Sequence, residues 1–464
     1  MKLPSAFIHS LENIAGFDKE AFEEVHESGA QITSIRLNIN KLSDPLKVVN
    51  IPADQRETSV TPVPWSTDGY YLSYRPSFTA DPLFHGGAYY VQEASSMFLE
   101  QALKQSTDLI QPLKVLDLCA APGGKSTLIQ SLISDKSLLI SNEVIKTRVT
   151  ILSENITKWG TANVIVTNND PKDFQRLPGY FDVIIVDAPC SGSGLFRKDP
   201  KAIDEWSEQQ VELCSLRQHR ILGDVLPALR EGGILIYSTC SYSKAEDEDI
   251  SDLLIKSYQL TSINLQLKKE WNIVETTSPE ANGYGYRFYP DKLKGEGFFI
   301  AAFKKNGSQE ASRQEEKAKS KSAKLIAKEI KVISPWLKNA TDFFFIKQYE
   351  DVIAVPVHLE KNLIDIQAAL YIKKAGIKLG TIIRNELIPD HELALSTLCN
   401  HSLPAIDVDK ETALQYLRRQ EIKLVSGDKG WALLTYQKLP LGWIKILPNR
   451  INNYYPKEWR ILNK

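Results

Sequence analysis

The stretch Val115-Leu116-Asp117-Leu118-Cys119-Ala120-Ala121-Pro122-Gly123-Gly124-Lys125-Ser126 decides the fold class. A short apolar run gives way to small residues, a proline and paired glycines, and then to a helical pattern over Lys125–Ile133, so the segment reads as strand, tight turn and helix. Glycines at such a turn let backbone approach a ligand closely, and the free N–H groups opening the helix face a carboxylate or a phosphate. Gly124-Lys125-Ser126 also matches the end of a nucleoside-triphosphate loop, but Cys119 stands where that motif requires its first glycine. Taken alone, the segment fits a plain tight turn as well as a binding loop.

The same rhythm continues downstream. Val115–Cys119, Leu138–Val144, Val164–Thr167, Val183–Val186 and Ile234–Tyr237 read as short buried strands, with Lys125–Ile133 and Lys146–Trp159 as helices between them. This alternation predicts an α/β domain over residues 81–305, a doubly wound parallel sheet covered by helices on both faces. Residues 1–80 read as an α+β module, from a helical pattern of Phe7, Leu11, Ile14, Phe22 and Val25 and a strand-like run Ile32–Ile39. Pro62, Pro64, Trp65 and Pro76 predict an irregular connection. Residues 306–331, rich in Lys, Glu, Ser and Ala, are expected to form a charged linker. Beyond it, apolar runs at Phe343–Ile346, Val352–Val357 and Trp431–Leu434 predict small β-rich modules at 332–390 and 391–464.

Composition narrows the function classes. A chain of 464 residues with 43% apolar and 24% charged residues is an ordinary multidomain globular protein. Its net charge of −1 means that any surface for a polyanion must be local. Such a surface is expected over Gln437–Lys464, where Lys438, Lys445, Arg450, Lys457, Arg460 and Lys464 oppose Glu458 alone. The five cysteines, Cys119, Cys190, Cys214, Cys240 and Cys399, form no Cys-x-x-Cys pair, so neither a disulfide framework nor a metal site is expected. Met1–Leu11 lacks the apolar stretch of a signal peptide, and no run reaches the roughly 20 apolar residues of a membrane span, so a cytoplasmic protein without a membrane partner is expected.

Open parallel sheets bind ligands at the carboxyl ends of their strands. Glu143 ends the second predicted strand, where such folds place an acid for ribose hydroxyls, Asp170 follows the third, and Asp187 ends the fourth. Each alone suits a helix cap or a solvated turn, but their periodic placement points to one crevice. Asp187-Ala188-Pro189-Cys190 and Ser238-Thr239-Cys240 put two thiols at neighbouring strand ends. A lone cysteine is most often a small buried apolar residue, which is the reading for Cys119, Cys214 and Cys399 as thiols, whereas Cys190 and Cys240 are candidates for chemistry.

In this order and spacing, Cys119–Lys125, Asp187–Cys190 and Thr239-Cys240 resemble the Sun/RsmF-type family of RNA cytosine-5 methyltransferases. Tyr90-Val91-Gln92-Glu93-Ala94-Ser95-Ser96-Met97 resembles the segment entering that family's catalytic domain, and Gly295-Glu296-Gly297-Phe298-Phe299 its last strand. Leu441-Gly442-Trp443 and Asn453-Tyr454-Tyr455-Pro456-Lys457 resemble the small PUA-like RNA-binding module of the RsmF branch. The resemblance implies a Rossmann-like methyltransferase sheet, an N-terminal RNA-binding module and a PUA-like module at 391–464. It also implies S-adenosylmethionine as cofactor, held by Cys119, Ala120, Ala121, Pro122, Gly123, Gly124 and Lys125 with Glu143, Asp170 and Asp187. Asp187 would also face the cytosine, Cys240 would be the nucleophile and Cys190 would assist product release. The implied partner is RNA, with ribosomal RNA or the small ribosomal subunit as the expected substrate. Two departures stand out, Ser126 where threonine is common and Glu246-Asp247-Glu248 where Glu-Asn-Glu is usual, and neither is expected to touch the chemistry. The competing readings are a catalytically inactive RNA-binding assembly factor and a DNA cytosine-5 methyltransferase, in which Cys190 would attack instead.

Overall fold

The computed structural model describes residues 3–42, 60–307, 323–424 and 429–462. At its centre five strands run parallel: β1 (Lys114–Asp117), β2 (Leu138–Asn142), β3 (Val164–Thr167), β4 (Phe181–Asp187) and β5 (Leu229–Thr239). Further strands β6 (Leu260–Ile263), β7 (Val274–Thr277), β8 (Tyr284–Phe288) and β9 (Phe298–Lys305) extend one side antiparallel, and β10 (Ile372–Ala375) pairs with β3 at the other. The order is β7-β8-β9-β5-β4-β1-β2-β3-β10, with β6 on β9. Neighbours of β1 lie in opposite chain directions along the sheet, so the strand order reverses there, and a crevice opens at the carboxyl ends of β1 and β4.

Side chains alternate between two cores, as the period of two in a strand demands. Leu116, Ile140, Ile165, Ile184 and Val186 pack under Ile221, Leu222, Val225, Ile250 and Leu254 of helices α3 (Glu208–Val225) and α4 (Glu248–Lys256). Val115, Leu139, Val164, Val183 and Ile185 pack under Leu128, Ile129, Leu152 and Ile156 of α1 (Gly124–Leu132) and α2 (Lys146–Trp159). The expected doubly wound sheet is thus present, with helices on both faces. Helix α3 begins where the Ser207 side chain accepts a hydrogen bond from Gln210 N, and α2 ends on Gly160 at φ +92°.

Several boundaries differ from the sequence reading. Strand β5 runs from residue 229 rather than 234, because Leu229 already pairs with Phe181 of β4, while β9 joins on the other side from Ile234. The N-terminal sheet of Thr33–Leu37, Val60–Pro62, Gly69–Leu72 and Tyr89–Val91 takes its last strand from beyond residue 80, where Val91 pairs with Ile35. The helices Ser5–Leu11 and Lys19–Glu27 leave that sheet and pack Phe7, Leu11 and Phe22 against Phe196, Tyr242 and Tyr289 of the central domain. Of the expected linker, residues 308–322 lie outside the described residues. The strand Ala323–Lys324 and the helix Ala327–Ile333 are ordered elements, and Ile333 is fully buried. The module at 332–390 combines strands with the helix Glu360–Ala369, and it contributes β10 to the central sheet.

Candidate active site

Asp117, the last residue of β1, is fully buried, and its Oδ2 accepts a hydrogen bond from Ser126 Oγ at 2.6 Å, tying the first turn of α1 to the strand. Burial pushes the Asp117 carboxyl up to about 7. Between the two elements, Ala120 N donates to Asn142 O on β2 (2.8 Å), the Ala121–Pro122 peptide is cis, and Gly123 sits at φ +117°. A Cβ at Gly123 would be strained by that φ and would meet Leu152 at 3.3 Å. Carbonyls of the turn are occupied from α2: Arg148 Nη2 donates to Ala121 O (2.6 Å) and Asn155 Nδ2 to Pro122 O (2.8 Å). The first N–H groups of α1 have no carbonyl one turn earlier, so they are the donors left to face the crevice.

Glu143 follows β2, is buried, and accepts a hydrogen bond from Ile145 N (2.8 Å), while its Oε2 lies 3.4 Å from Arg148 Nη1. One arginine therefore links this acid to the turn. Asp170 stands apart from this chain of contacts. It caps the 3-10 turn Pro171–Arg176 by accepting from Lys172 N (3.1 Å), with Arg220 of α3 at 3.7 Å.

The start of α1 reaches the end of β4 through Lys125, whose Nζ lies 2.7 Å from Asp187 Oδ2 and 5.1 Å from the Phe298 ring centre. The other oxygen of Asp187 accepts from Ser238 Oγ on β5 at 2.8 Å. Burial pulls the Lys125 ammonium down, but Asp187, with Asp117 and Cys240 adding to it, holds the group above its ordinary range. Three residues beyond Asp187 the Cys190 Sγ lies 3.0 Å from Cys240 Sγ, and both cysteines are free. Contact with Cys240, and then burial, pushes the Cys190 thiol well above its usual range. The two sulfurs share a hydrogen bond in which either can be the donor. Cys119 is held as a neutral thiol by burial, and Cys214 and Cys399 are buried.

Glu246, which the sequence reading left without a role, is fully buried beside these loops. Its carboxylate accepts hydrogen bonds from Ser191 N (2.8 Å), Ser191 Oγ (2.5 Å), Ser241 Oγ (2.6 Å) and Gln218 Nε2 (3.2 Å). Asp247 Oδ1 accepts from Thr239 Oγ1 (2.6 Å), and its Oδ2 lies 3.0 Å from Arg287, which is held by both oxygens of Glu248. Asp247, the residue that departs from the usual pattern, is thus bonded to Thr239, the neighbour of Cys240. Three consecutive acids carry no sign of burial in sequence. Asp117 did, as an acid inside an apolar strand.

At the C-terminal region, Trp443 and Tyr455 are buried core residues, with Trp443 Nε1 donating to Asp390 O (2.8 Å). Trp459 packs edge-on to His391. Tyr454 is 37% exposed and lies against Trp431, over whose ring Lys445 Nζ stands at 5.0 Å. Of these aromatic residues Tyr454 is exposed, Trp459 is partly buried, and Trp443 and Tyr455 are buried. Lys464 lies outside the described residues.

Comparison with known proteins places these parts in one context. Residues 106–304 match the family model described as 16S rRNA methyltransferase RsmB/F, residues 3–94 the N-terminal domain of 16S rRNA methyltransferase RsmF, and residues 403–461 the methyltransferase RsmF PUA domain. A ribosomal RNA small subunit methyltransferase F from Shewanella woodyi is 31% identical over 92% of this chain and 90% of its own. A protein of the same description from Shewanella amazonensis is 29% identical over 99% and 98%. Among solved structures, a methyltransferase homologue from Pyrococcus horikoshii is 27% identical with a TM-score of 0.52, covering 65% of this chain and all of that one. NSun6 from the same organism, at 21% identity and a TM-score of 0.54 over 66% and 99%, shares the fold.

Proposed function

The chain belongs to the RsmF family of ribosomal RNA small subunit methyltransferases, and from that membership we propose that it methylates C5 of a cytosine in small-subunit ribosomal RNA through a covalent bond from Cys240 to C6. The observation that carries the covalent reading is the pair of free thiols 3.0 Å apart, one strand end from the Lys125–Asp187 ion pair.

The enzyme depends on S-adenosylmethionine. The donor set at the switch point fits this cofactor: a helix start with unpaired N–H groups suits its carboxylate, and the buried Glu143 suits ribose hydroxyls. We assign Cys119–Lys125, Glu143, Asp170 and Asp187 to holding it. When bound, it supplies an electrophilic methyl group on a sulfonium.

Cytosine C5 is a poor nucleophile, so the protein must first raise its electron density. A Cys240 thiolate adding to C6 makes C5 enamine-like. Charge building on the ring is met by proton sharing through Asp187, which Lys125 and Ser238 orient. Addition consumes the negative charge on Cys240, and with it the largest cause that holds the Cys190 proton. Cys190 then releases that proton to solvent and takes the proton from C5, and the C6–S bond breaks to return Cys240 as a thiolate. One proton is released overall, as replacement of hydrogen by methyl requires.

A base inside a duplex does not reach such a pocket, so the substrate cytosine is single-stranded or flipped out. The PUA region holds the surrounding RNA, with Lys445, Arg450 and Lys457 for phosphates and Tyr454 as a stacking surface. The test is transfer of labelled methyl to unmethylated ribosomal RNA or small subunits, with 5-methylcytosine mapped in the product. Transfer that persists in Cys240→Ser excludes the nucleophile assigned here.

A further inference from the structure

Strands β4 and β5 are paired as far as Asp187 and Ser238, and Ala188 N donates to Ser238 O (2.8 Å). Past Asp187 the first chain leaves the sheet, while β5 stays paired with β9 through Thr239, and the two sulfurs that follow are held in contact. The residue after each cysteine is a serine, Ser191 and Ser241, and both serines bond the same carboxylate. We infer that Glu246 is a positioning residue that staples the two cysteine loops together and so sets the separation of the Cys190 and Cys240 thiols. The inference rests on the proposed reaction, in which both thiols act.

The geometry suits a staple. Glu246 Oε2 receives the Ser191 and Ser241 hydroxyls, one from each loop, and Oε1 receives Ser191 N and Gln218 Nε2. Gln218, from α3, also donates to Pro189 O (3.1 Å), which pins the first loop on the other side of Cys190. Glu246 is itself fixed, because its backbone carbonyl accepts from the buried Tyr237 hydroxyl of β5 at 2.7 Å. Hydrogen bonds to an ionised acceptor are roughly twice as strong as neutral ones, and four neutral donors satisfy this one. Remove the carboxylate and the loops lose their shared acceptor, leaving buried donors unpaired. The loops keep their direct bonds, Gly194 N to Cys240 O (2.8 Å) and Tyr242 N to Ser193 Oγ (3.0 Å), but the sulfurs nearer the staple are expected to move apart, although no group that touches the base has changed.

A dithiol probe reads that separation without RNA or methyl donor. Phenylarsine oxide bridges two thiols only when they are adjacent, and its affinity depends on their effective concentration. The full-length chain is expected to bind it through Cys190 and Cys240, and Cys190→Ser to lose that binding. In Glu246→Ala the affinity is expected to fall at least about tenfold, and single-turnover methyl transfer about 100-fold, as expected for reacting groups displaced by roughly 1 Å. RNA KM is expected to stay within about twofold, because the staple touches no nucleotide. Glu246→Gln is expected to rescue most of both, since its carbonyl still accepts and its amide donates to the two hydroxyl oxygens once they rotate. Arsenical affinity unchanged in Glu246→Ala overturns the inference. Should that variant fail to fold, Ser191→Ala combined with Ser241→Ala decides in the same way, weaker dithiol binding supporting the staple and unchanged binding removing it. A wild-type chain with the expected arsenical pattern but no methyl transfer counts against the reaction and not against the staple.

Discussion

Lys125 and Asp187 form an ion pair of 2.7 Å that joins the first turn of α1 to the end of β4. The contact spans the place where strand order reverses, so it couples the loop assigned here to the cofactor to the strand end proposed to face the base. Because Asp187, with Asp117 and Cys240 adding to it, holds Lys125 above its ordinary range against burial, the lysine stays cationic through neutral pH and Asp187 keeps a proton-bearing neighbour.

Replacing Lys125 by methionine removes that neighbour while keeping the bulk of the side chain. Single-turnover methyl transfer is expected to fall about 100-fold or more, the usual cost of one preorganised electrostatic group. Rapid quench measures the chemical step, and calorimetry with S-adenosylmethionine separates it from binding.

The two thiols are expected to fail differently. Cys190→Ala blocks removal of the C5 proton, so an RNA adduct that survives denaturation accumulates, whereas Cys240→Ala forms none. Denaturing gels with labelled RNA read the outcome. An adduct found only in the Cys240 variant reverses the two roles and supports attack by Cys190.

Asp117 makes stability depend on pH. Burial raises its folded value to about 7 from an ordinary 3.8, so the folded state holds a proton that the unfolded state gives up. Its contribution is greatest below pH 4 and is lost as pH rises towards 7, by about 1.4 kcal/mol per unit within that window. Urea unfolding from pH 4 to 8 is expected to show a shallower decline in Asp117→Asn than in the wild type.

Asp247 is held well above the carboxylate range by burial, against the pull of Arg287 and with Glu248 adding to the rise. The folded state therefore takes up a proton at Asp247 that the unfolded state gives up above the ordinary carboxylate range. Asp247→Asn is expected to flatten the loss of stability as pH rises above that range, and to keep the hydrogen bond from Thr239. Urea unfolding with a pH dependence unchanged from wild type contradicts the assignment.

In the C-terminal region the aromatic residues divide by burial. Trp443→Ala is expected to destabilise the fold by about 3–5 kcal/mol. Tyr454→Ala is expected to leave melting nearly unchanged and to weaken RNA binding by about 1–3 kcal/mol, the range for one lost base stack. Thermal melting and RNA titration at fixed salt distinguish them.

Period and punctuation in the sequence determined the doubly wound sheet, because alternating short apolar strands and helices have few ways to bury both faces. They also determined the positions of Cys119–Lys125, Glu143, Asp187, Cys190 and Cys240, since parallel strands deliver their carboxyl ends to one edge. Tertiary structure alone decided which of these touch. Lys125 meets Asp187, Cys190 meets Cys240, and Asp170 is occupied as a cap, because such contacts depend on loop paths that have no period. It alone also brought Glu246 under both cysteine loops. A buried acid is tolerable only where donors from distant segments converge on it, and convergence of that kind is a property of three dimensions.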